Sequence, residues 1–276
     1  MRIDLHIHTT ESDGFLTAEE VISIAYKRGI NLISITDHDT TLGIEKALKI
    51  IEKSSLRIIP GVEFNTSYND EEIHLLGYYK NIDNDRLQKR LKDIRLERTE
   101  ITKNMVAKLR QNGIDIAWNE VRAVASEHGI ICKAHIMYAL RNKMRQPQYL
   151  DWNLIASWFR PGGLAYIPYT GNPYQEAVDF ILGTGGLPVL AHPGIIKNRS
   201  LVPELLKYKP IGLEVYYGYW ENQEEIISYF SEISRKSAVL STGGSDYHGF
   251  YSPIEIGEIN VPPECGNDLM TYLDIK

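Results

Sequence analysis

The sequence predicts an α/β fold. Three observations carry that expectation. Short runs rich in branched apolar residues recur toward both ends of the chain, bounded by glycine, proline or acids. Stretches with apolar residues at helical spacing separate them. Histidines and acids mark the ends of the apolar runs, where α/β folds build their sites.

The first run, RIDLHIH over residues 2–8, reads as a strand from its alternation and branched content. Thr17 followed by Glu20 forms a capping box that opens a helix, with Val21, Ile24 and Ala25 turned inward and Gly29 as its stop. NLISIT is the next strand and runs into Asp37, His38, Asp39 and Thr40. Residues 43–53, GIEKALKIIEK, form a helix. LRIIPGVEFN reads as one strand ending near Glu63, and EIHLLGYY as another carrying His74. This rhythm predicts a mainly parallel sheet or barrel.

From about Asn84 the texture changes. One long helix is expected up to Gly113, then shorter ones around Asn119–His128 and His135–Lys143. Trp152, Trp158 and Phe159 add bulk near a turn at Pro161–Gly163. Residues 84–170 are therefore read as a helical insertion, a substrate cap on an α/β body made of 1–83 and 171–276. After it come a helix, a glycine turn and a strand ending in LAHPG, then two further strands in IGLEVYY and AVLSTGGSDYHG.

Bulk composition narrows the function classes. The chain has 276 residues, 43% hydrophobic and 24% charged, which suits a large domain with a buried core. A formal net charge of −6 argues against coating nucleic acid by charge alone. Cys132 and Cys265 form no CxxC pair, and the expected setting is reducing and cytoplasmic. Neither a signal leader nor a run of eighteen apolar residues is present, so no membrane association is expected. Between Lys80 and Arg110 the chain holds ten Lys or Arg and five Asp or Glu. A solvated helix face accounts for this, as long exposed helices are usually charged; a basic cap over an anionic substrate is the sharper alternative.

Chemistry concentrates in the histidines. Six of the eight (His6, His8, His38, His74, His192 and His248) lie at or near strand ends, and Asp13, Glu63 and Asp246 join them. Residues i and i+2 of a strand share a face, so His6 and His8 aim together, and Asp246 and His248 repeat the spacing. Two imidazoles facing each other in a core leave ring nitrogens to satisfy, which divalent ions would do. Pairing through carboxylates explains any one motif but not nine such residues.

The motifs DLHIHTTESDG, ITDHDT, PGVEFN, IHLLGY, VLAHPG and GGSDYHG, in this order, resemble the PHP (polymerase and histidinol phosphatase) family. The resemblance implies a distorted (β/α)7 barrel with a trinuclear metal centre at the strand C-termini. By position, it assigns His6, His8, Glu63 and Asp246 to one metal. Asp13, His38 and His248 fall to a second, and a bridging Glu63 with His74 and His192 to a third. Asp37 and Asp39, and Asp4 likewise, are expected to orient ligands. Mixed imidazole and carboxylate donors without thiolates suit two or three ions of Mn, Fe or Zn.

Within the family the chain resembles stand-alone phosphoesterases with a helical insertion, which act on nucleotides and RNA 5′ ends. AYIP, EAVDFILGTGG and GLEVYY support this. That subgroup tends to show Arg-Pro-His where this chain has Lys133-Ala134-His135; lysine keeps the charge but loses the bidentate fork. The expected activity is hydrolysis of a phosphorylated small molecule, a nucleotide first, or of short RNA, by a hydroxide bridging two metals. Asp13, His192, Asp246 and His248 form its catalytic core, and Lys133 and Arg199 hold phosphate. His135 either contacts phosphate or is an ordinary helix-terminal residue, and either an unligated His135 or a metal-bound water would protonate the leaving oxygen. Tyr166, Tyr169, Tyr216 and Tyr217 would stack a base or simply pack. The same metal box would serve a histidinol-phosphate-type or cyclic-phosphate phosphoesterase, and a non-catalytic metal-stabilised module is the alternative from another class. A monomer is the expectation for assembly.

Overall fold

The computed structural model describes residues 1–51, 55–69, 71–143, 151–219, 221–249 and 252–275. Its strands are β1 (Ile3–Ile7), β2 (Leu32–Ile35), β3 (Arg57–Ile58), β4 (Gly61–Tyr68), β5 (Glu71–Tyr79), β6 (Gly186–Leu190), β7 (Gly212–Tyr217) and β8 (Ser241–Gly244). The helices α1 (Ala18–Lys27), α2 (Leu42–Ile50) and α3 (Asp85–Gln111) interleave with the first five strands and follow them. Next come α4 (Trp118–Ala123), α5 (Lys133–Lys143), α6 (Trp152–Ser157) and α7 (Tyr174–Gly183). The remaining helices are α8 (Val202–Tyr208), α9 (Gln223–Ser237) and α10 (Pro263–Tyr272).

The strands form two sheets, β1-β2-β3 and β4-β5-β6-β7-β8. No continuous ladder closes them into one barrel, but isolated pairs stitch both seams. Ile7 bridges to Tyr247 beyond β8, and His38, beyond β2, bridges to Glu63 in β4. Seven strands thus form a distorted ring, with β3 a short branch beside β2. Both seams lie at strand ends that carry the histidine and acid motifs, so the places where regular pairing fails are where side chains converge.

Two strand expectations change. The run from Leu56 to Asn65 is not one strand: Pro60, which has no N–H for a ladder, separates β3 from β4, and β4 continues to Tyr68. The sheet is also less parallel than expected. β5 is antiparallel to both β4 and β6, pairing with β4 from Tyr68–Glu71 to Gly61–Tyr78. All other pairings are parallel.

Local signals act as the sequence requires. Thr17 caps α1: the Glu20 N–H donates to Thr17 Oγ1 at 3.3 Å, and the Thr17 N–H donates to Glu20 Oε2 at 2.8 Å. Gly29, at φ +65°, ends the helix in a left-handed conformation. Val21 and Ala25 are buried beneath it, whereas Ile24 is half-buried. The last residues of the helix expected over 43–53 fall outside the described residues; α2 is described to Ile50. The helix expected over Asn119–His128 is only α4, ending at Ala123.

Core packing follows the amphipathic pattern. One apolar cluster joins α1, α2, α7 and α9 to the strands, including Ile7, Ile35, Phe64, Val178 and Phe230. A second gathers Leu5, Leu76, Tyr78 and Val189 with Leu269 and Met270 of α10. Each such side chain contributes about 1.5–3 kcal/mol of hydrophobic stabilisation. Residues 84–170 hold α3–α6, which build a separate cluster from Met105, Leu109, Val121, Ile136, Ile155 and Phe159.

Candidate metal centre

β1 delivers His6 and His8 on one face, both fully buried. Glu63 projects from β4 and approaches five imidazoles. Its Oε2 lies 3.3 Å from His6 Nε2, 3.2 Å from His8 Nε2 and 3.1 Å from His38 Nδ1. Its Oε1 lies 2.9 Å from His74 Nδ1 and 3.0 Å from His192 Nε2. Asp246 Oδ1 stands 3.1 Å from His6 Nε2 and 3.0 Å from His8 Nε2. Asp13 Oδ1 stands 3.2 Å from His248 Nε2. All nine expected residues therefore come together.

Ligand atoms of eight of the nine, all but His192, form three overlapping groups, each within 4.8 Å: His8, Asp13, His38 and His248; His6, His8, Glu63 and Asp246; and His38, Glu63 and His74. The groups differ in detail from the sets the resemblance implies, since His8 also faces the Asp13 group and His38 also faces Glu63 and His74.

The donor set fits divalent cations. His6 Nε2 and His8 Nε2 face each other at 3.1 Å, where one proton satisfies a single contact and a cation satisfies both lone pairs. Asp13 Oδ1, Asp246 Oδ1 and His192 Nδ1 are buried and receive no well-directed hydrogen bond. The two carboxylate oxygens lie at ion-pair distance from imidazoles without a directed donor, an arrangement a divalent cation would satisfy.

Outward-facing partners decide which ring nitrogen points inward. His6 Nδ1 lies 3.0 Å from Glu214 Oε1, and the other Glu214 oxygen accepts the His192 N–H at 2.8 Å. His74 Nε2 lies 3.2 Å from Glu72 Oε1. His248 Nδ1 is 2.9 Å from the Asp246 carbonyl. His38 differs: its Nδ1 meets both Glu63 Oε2 and the Asn65 amide, each at 3.1 Å, and that amide also donates to Asp39. His8 Nδ1 faces Ser12, whose hydroxyl donates to Asp37 at 2.6 Å. Such outer contacts fix tautomers and raise ligand basicity.

The three flanking acids thus act at one remove. Asp37 holds the Thr9 N–H, the Thr9 hydroxyl and Ser12; Asp39 holds Asn65 and Arg98. Asp4 contacts no ring. It takes the Ser245 N–H at 2.9 Å and the Gly257 N–H at 2.7 Å, ordering the loop that carries Asp246. Glu214 escaped the sequence reading, although a lone acid inside the apolar run Leu213–Val215 is the signal that marks it.

Electrostatics follow from this crowding. Burial pushes the Asp13 carboxyl up, but the imidazoles of His38 and His248 hold it well below the usual range. Glu63 and Asp246 behave alike, lowered against burial by His38 and His6 respectively. Burial lowers His38 well below the ordinary imidazole value. His74 and His248 overcome burial and rise to about 10 through Glu63 and Asp13. Asp39 at φ +50°, His192 at +29° and Asp246 at +51° adopt left-handed backbone that suits glycine better, a pattern of strain found at functional sites.

A cavity of about 390 Å³ opens beside His74 and His192. Lys133 lines it, 3.3 Å from Glu72 Oε2, as do Arg98, Arg160 and Lys197. Arg98 comes from the basic stretch of α3 and turns inward to Asp39, so that stretch is neither wholly solvated nor wholly a cap. Tyr166 and Tyr169 also line the cavity. The other two tyrosines do not: Tyr217 donates to Asp246 Oδ2 at 2.9 Å, and Tyr216 packs beneath the sheet.

Two expected phosphate contacts lie off the described cavity wall. His135 is buried, its Nδ1 accepting the Cys132 N–H at 3.2 Å at the start of α5, which fits the helix-terminal alternative. Arg199 is an exposed side chain whose Nε donates to the Gly194 carbonyl at 3.0 Å, because the short turn after His192 folds it back. His128 is exposed.

The PHP domain matches residues 4–158, more than half of the chain. The chain belongs to the PHP domain family. Among relatives of this PHP protein is a phosphoribosyl 1,2-cyclic phosphate 1,2-diphosphodiesterase of Eggerthella lenta, 28% identical over 94% of this chain and 98% of the relative. A 3′,5′-nucleoside bisphosphate phosphatase of Chromobacterium violaceum is 29% identical, covering 95% and 93%. The 5′-3′ exoribonuclease Rnm of Salmonella typhimurium is 29% identical, covering 92% and 87%. A solved amidohydrolase from Chromobacterium violaceum, carrying sulfate and no metal, superposes at TM-score 0.86 with 26% identity, covering 99% and 97%. A Bifidobacterium adolescentis protein assigned as a metal-dependent phosphoesterase reaches 0.83 at 26% identity, covering 98% and 96%. The PHP protein described here is a metal-dependent phosphoesterase, a hydrolase of phosphoric esters. None of its described helices is long and apolar enough to cross a membrane.

Proposed function

We propose that this PHP phosphoesterase hydrolyses phosphate esters of nucleotides or short oligonucleotides at the nine-residue centre. The observation that carries the reading is the juxtaposition of three overlapping donor groups with a cationic cavity that has tyrosines on its wall. In this reading His6, His8, Glu63 and Asp246 hold one divalent ion and Asp13, His38 and His248 a second. His74, His192 and the shared Glu63 hold a third. Bound there, Mn, Fe or Zn would supply Lewis acidity to phosphoryl oxygens and to attacking water.

The chain's own residues do the rest. Arg98 and Lys133 draw the phosphoryl group toward His74 and His192, and charge on the non-bridging oxygens is met by their fixed cations. With metal bound, Glu214 and Glu72 would accept the outward N–H of His6 and His74 and leave their inward nitrogens free to ligate. Tyr166 and Tyr169 offer faces for a base. Residues 84–170 would form the cap over a body of 1–83 and 171–276, working as a monomer in the cytoplasm.

The similarity to a cyclic-phosphate phosphodiesterase favours a second reading with the same centre, so the substrate panel decides. Protein purified without chelator and given Mn²⁺ is assayed on AMP, a 3′,5′-bisphosphate, a 5′-phosphorylated oligoribonucleotide and a cyclic ribose phosphate. Phosphate release from the nucleotides, abolished by Asp13→Ala, His192→Ala and chelator, is the expected result. Cleavage of the cyclic ester alone moves the assignment to the second reading. Bound metal without turnover on any ester sinks both and leaves a non-catalytic module.

A further inference from the structure

We propose that the stretch from Ser126 to Tyr138 positions the Asp13 carboxylate, so that metal occupancy at the His8–Asp13–His38–His248 group depends on it. The inference rests on the reading of that group as a metal position. Asp13 is its only acid, hence its only fixed negative charge. The loop that presents Asp13 leaves β1 at His8 and turns at once, with the Gly14 N–H on the Thr9 carbonyl at 2.9 Å.

Asp37 secures the start of this loop through Thr9 and Ser12. Its far side is held from the helical segment. Ser126 Oγ donates to Glu11 Oε2 at 2.7 Å, and the Ile130 N–H donates to the Glu11 carbonyl at 3.2 Å. The Tyr138 hydroxyl donates to the Asp13 carbonyl. Cys132 Sγ lies 3.8 Å from Asp13 Oδ2. Glu11 and Asp13 are thus gripped by four residues of one segment, Ser126, Ile130, Cys132 and Tyr138. Space is tight as well: a Cβ on Gly129 would lie 2.2 Å from the Glu11 carbonyl, so only glycine allows this approach. Glu11 is 5% exposed and also pairs with Lys46 of α2, fixing the loop between both parts.

Tyr138 is accordingly a positioning residue: it reaches the backbone of Asp13 and acts through it. The test reads metal binding. Full-length wild type, Tyr138→Phe, Ser126→Ala and the control Glu120→Gln are stripped and titrated with Mn²⁺ by calorimetry, with metal per chain measured after gel filtration. Glu120 lies on α4 and pairs with Lys143, away from the loop. The expected result is a loss of about tenfold or more in affinity at one class of site for Tyr138→Phe, a smaller loss for Ser126→Ala, and unchanged remaining sites. Unchanged titration of Tyr138→Phe overturns the proposal, as does weakening that spreads over every site or that Glu120→Gln reproduces. A wild type that binds no Mn²⁺ removes the metal-centre reading itself, a separate failure.

Discussion

The Glu214 carboxylate lies 3.0 Å from His6 Nδ1, and both side chains are excluded from solvent. One oxygen of Glu214 also takes the His192 backbone N–H, so a single acid from β7 orders two candidate ligands from different strands. Replacing it with alanine frees the His6 ring to adopt either tautomer. Glu214→Ala is expected to lower Mn²⁺ affinity by about 10–100-fold, and Glu214→Gln by less, because the amide oxygen still accepts. Calorimetric titration of the two variants checks the order.

Stability of the metal-free protein should depend on pH with a defined sign. His74 and His248 titrate near 10 in the folded chain, above the ordinary 6.5, so their contribution is complete below 6.5 and fades as pH rises toward 10. Asp13, Glu63 and Asp246 are held low, so their contribution is present above the ordinary carboxylate range and fades as pH falls below it. Metal-free protein is therefore most stable in mild acid. Metal binding needs unprotonated rings and should move the optimum upward. Urea titrations from pH 4 to 9, with and without Mn²⁺, measure the displacement; coincident curves would refute it.

Arg98 is 12% exposed and Asp39 is fully buried, so truncating the arginine leaves an uncompensated buried carboxylate. Arg98→Met is expected to cost roughly 3–5 kcal/mol. Arg98→Lys should retain much of that stability yet raise KM for phosphate esters, since lysine lacks the planar fork. Chemical denaturation and steady-state kinetics separate the two effects.

Thr17 caps α1 away from the centre. Thr17→Ala should destabilise the chain by about 1 kcal/mol while turnover stays at the wild-type value. A fall in kcat would tie α1 to the site in a way its contacts do not predict.

Much of this architecture was legible because its determinants are local. The Thr17–Glu20 box, the stop at Gly29 and the long α3 are written in neighbouring residues, and spacing alone put His6 and His8 on one face. What stayed hidden depends on distant parts meeting. The antiparallel pairing of β5 with β6 joins Tyr79 to Gly186, far apart in the chain, which no periodicity records. Arg98 looked like any other cation on a charged helix until its turn toward Asp39 was visible. His135 and Arg199 have suitable chemistry, but no sequence signal records that His135 Nδ1 accepts the Cys132 N–H or that Arg199 Nε donates to the Gly194 carbonyl.

The left-handed backbone at Asp39, His192 and Asp246 has an evolutionary reading. A side chain with a Cβ in that conformation costs roughly 1–2 kcal/mol per residue relative to a right-handed one, and glycine escapes the penalty. Glycine at these three codons would relax the backbone but strip Arg98 of its buried partner and the centre of two of its donors. The strained geometry is thus held in place by the contacts its side chains make, and drift toward an easier backbone is closed off at all three positions.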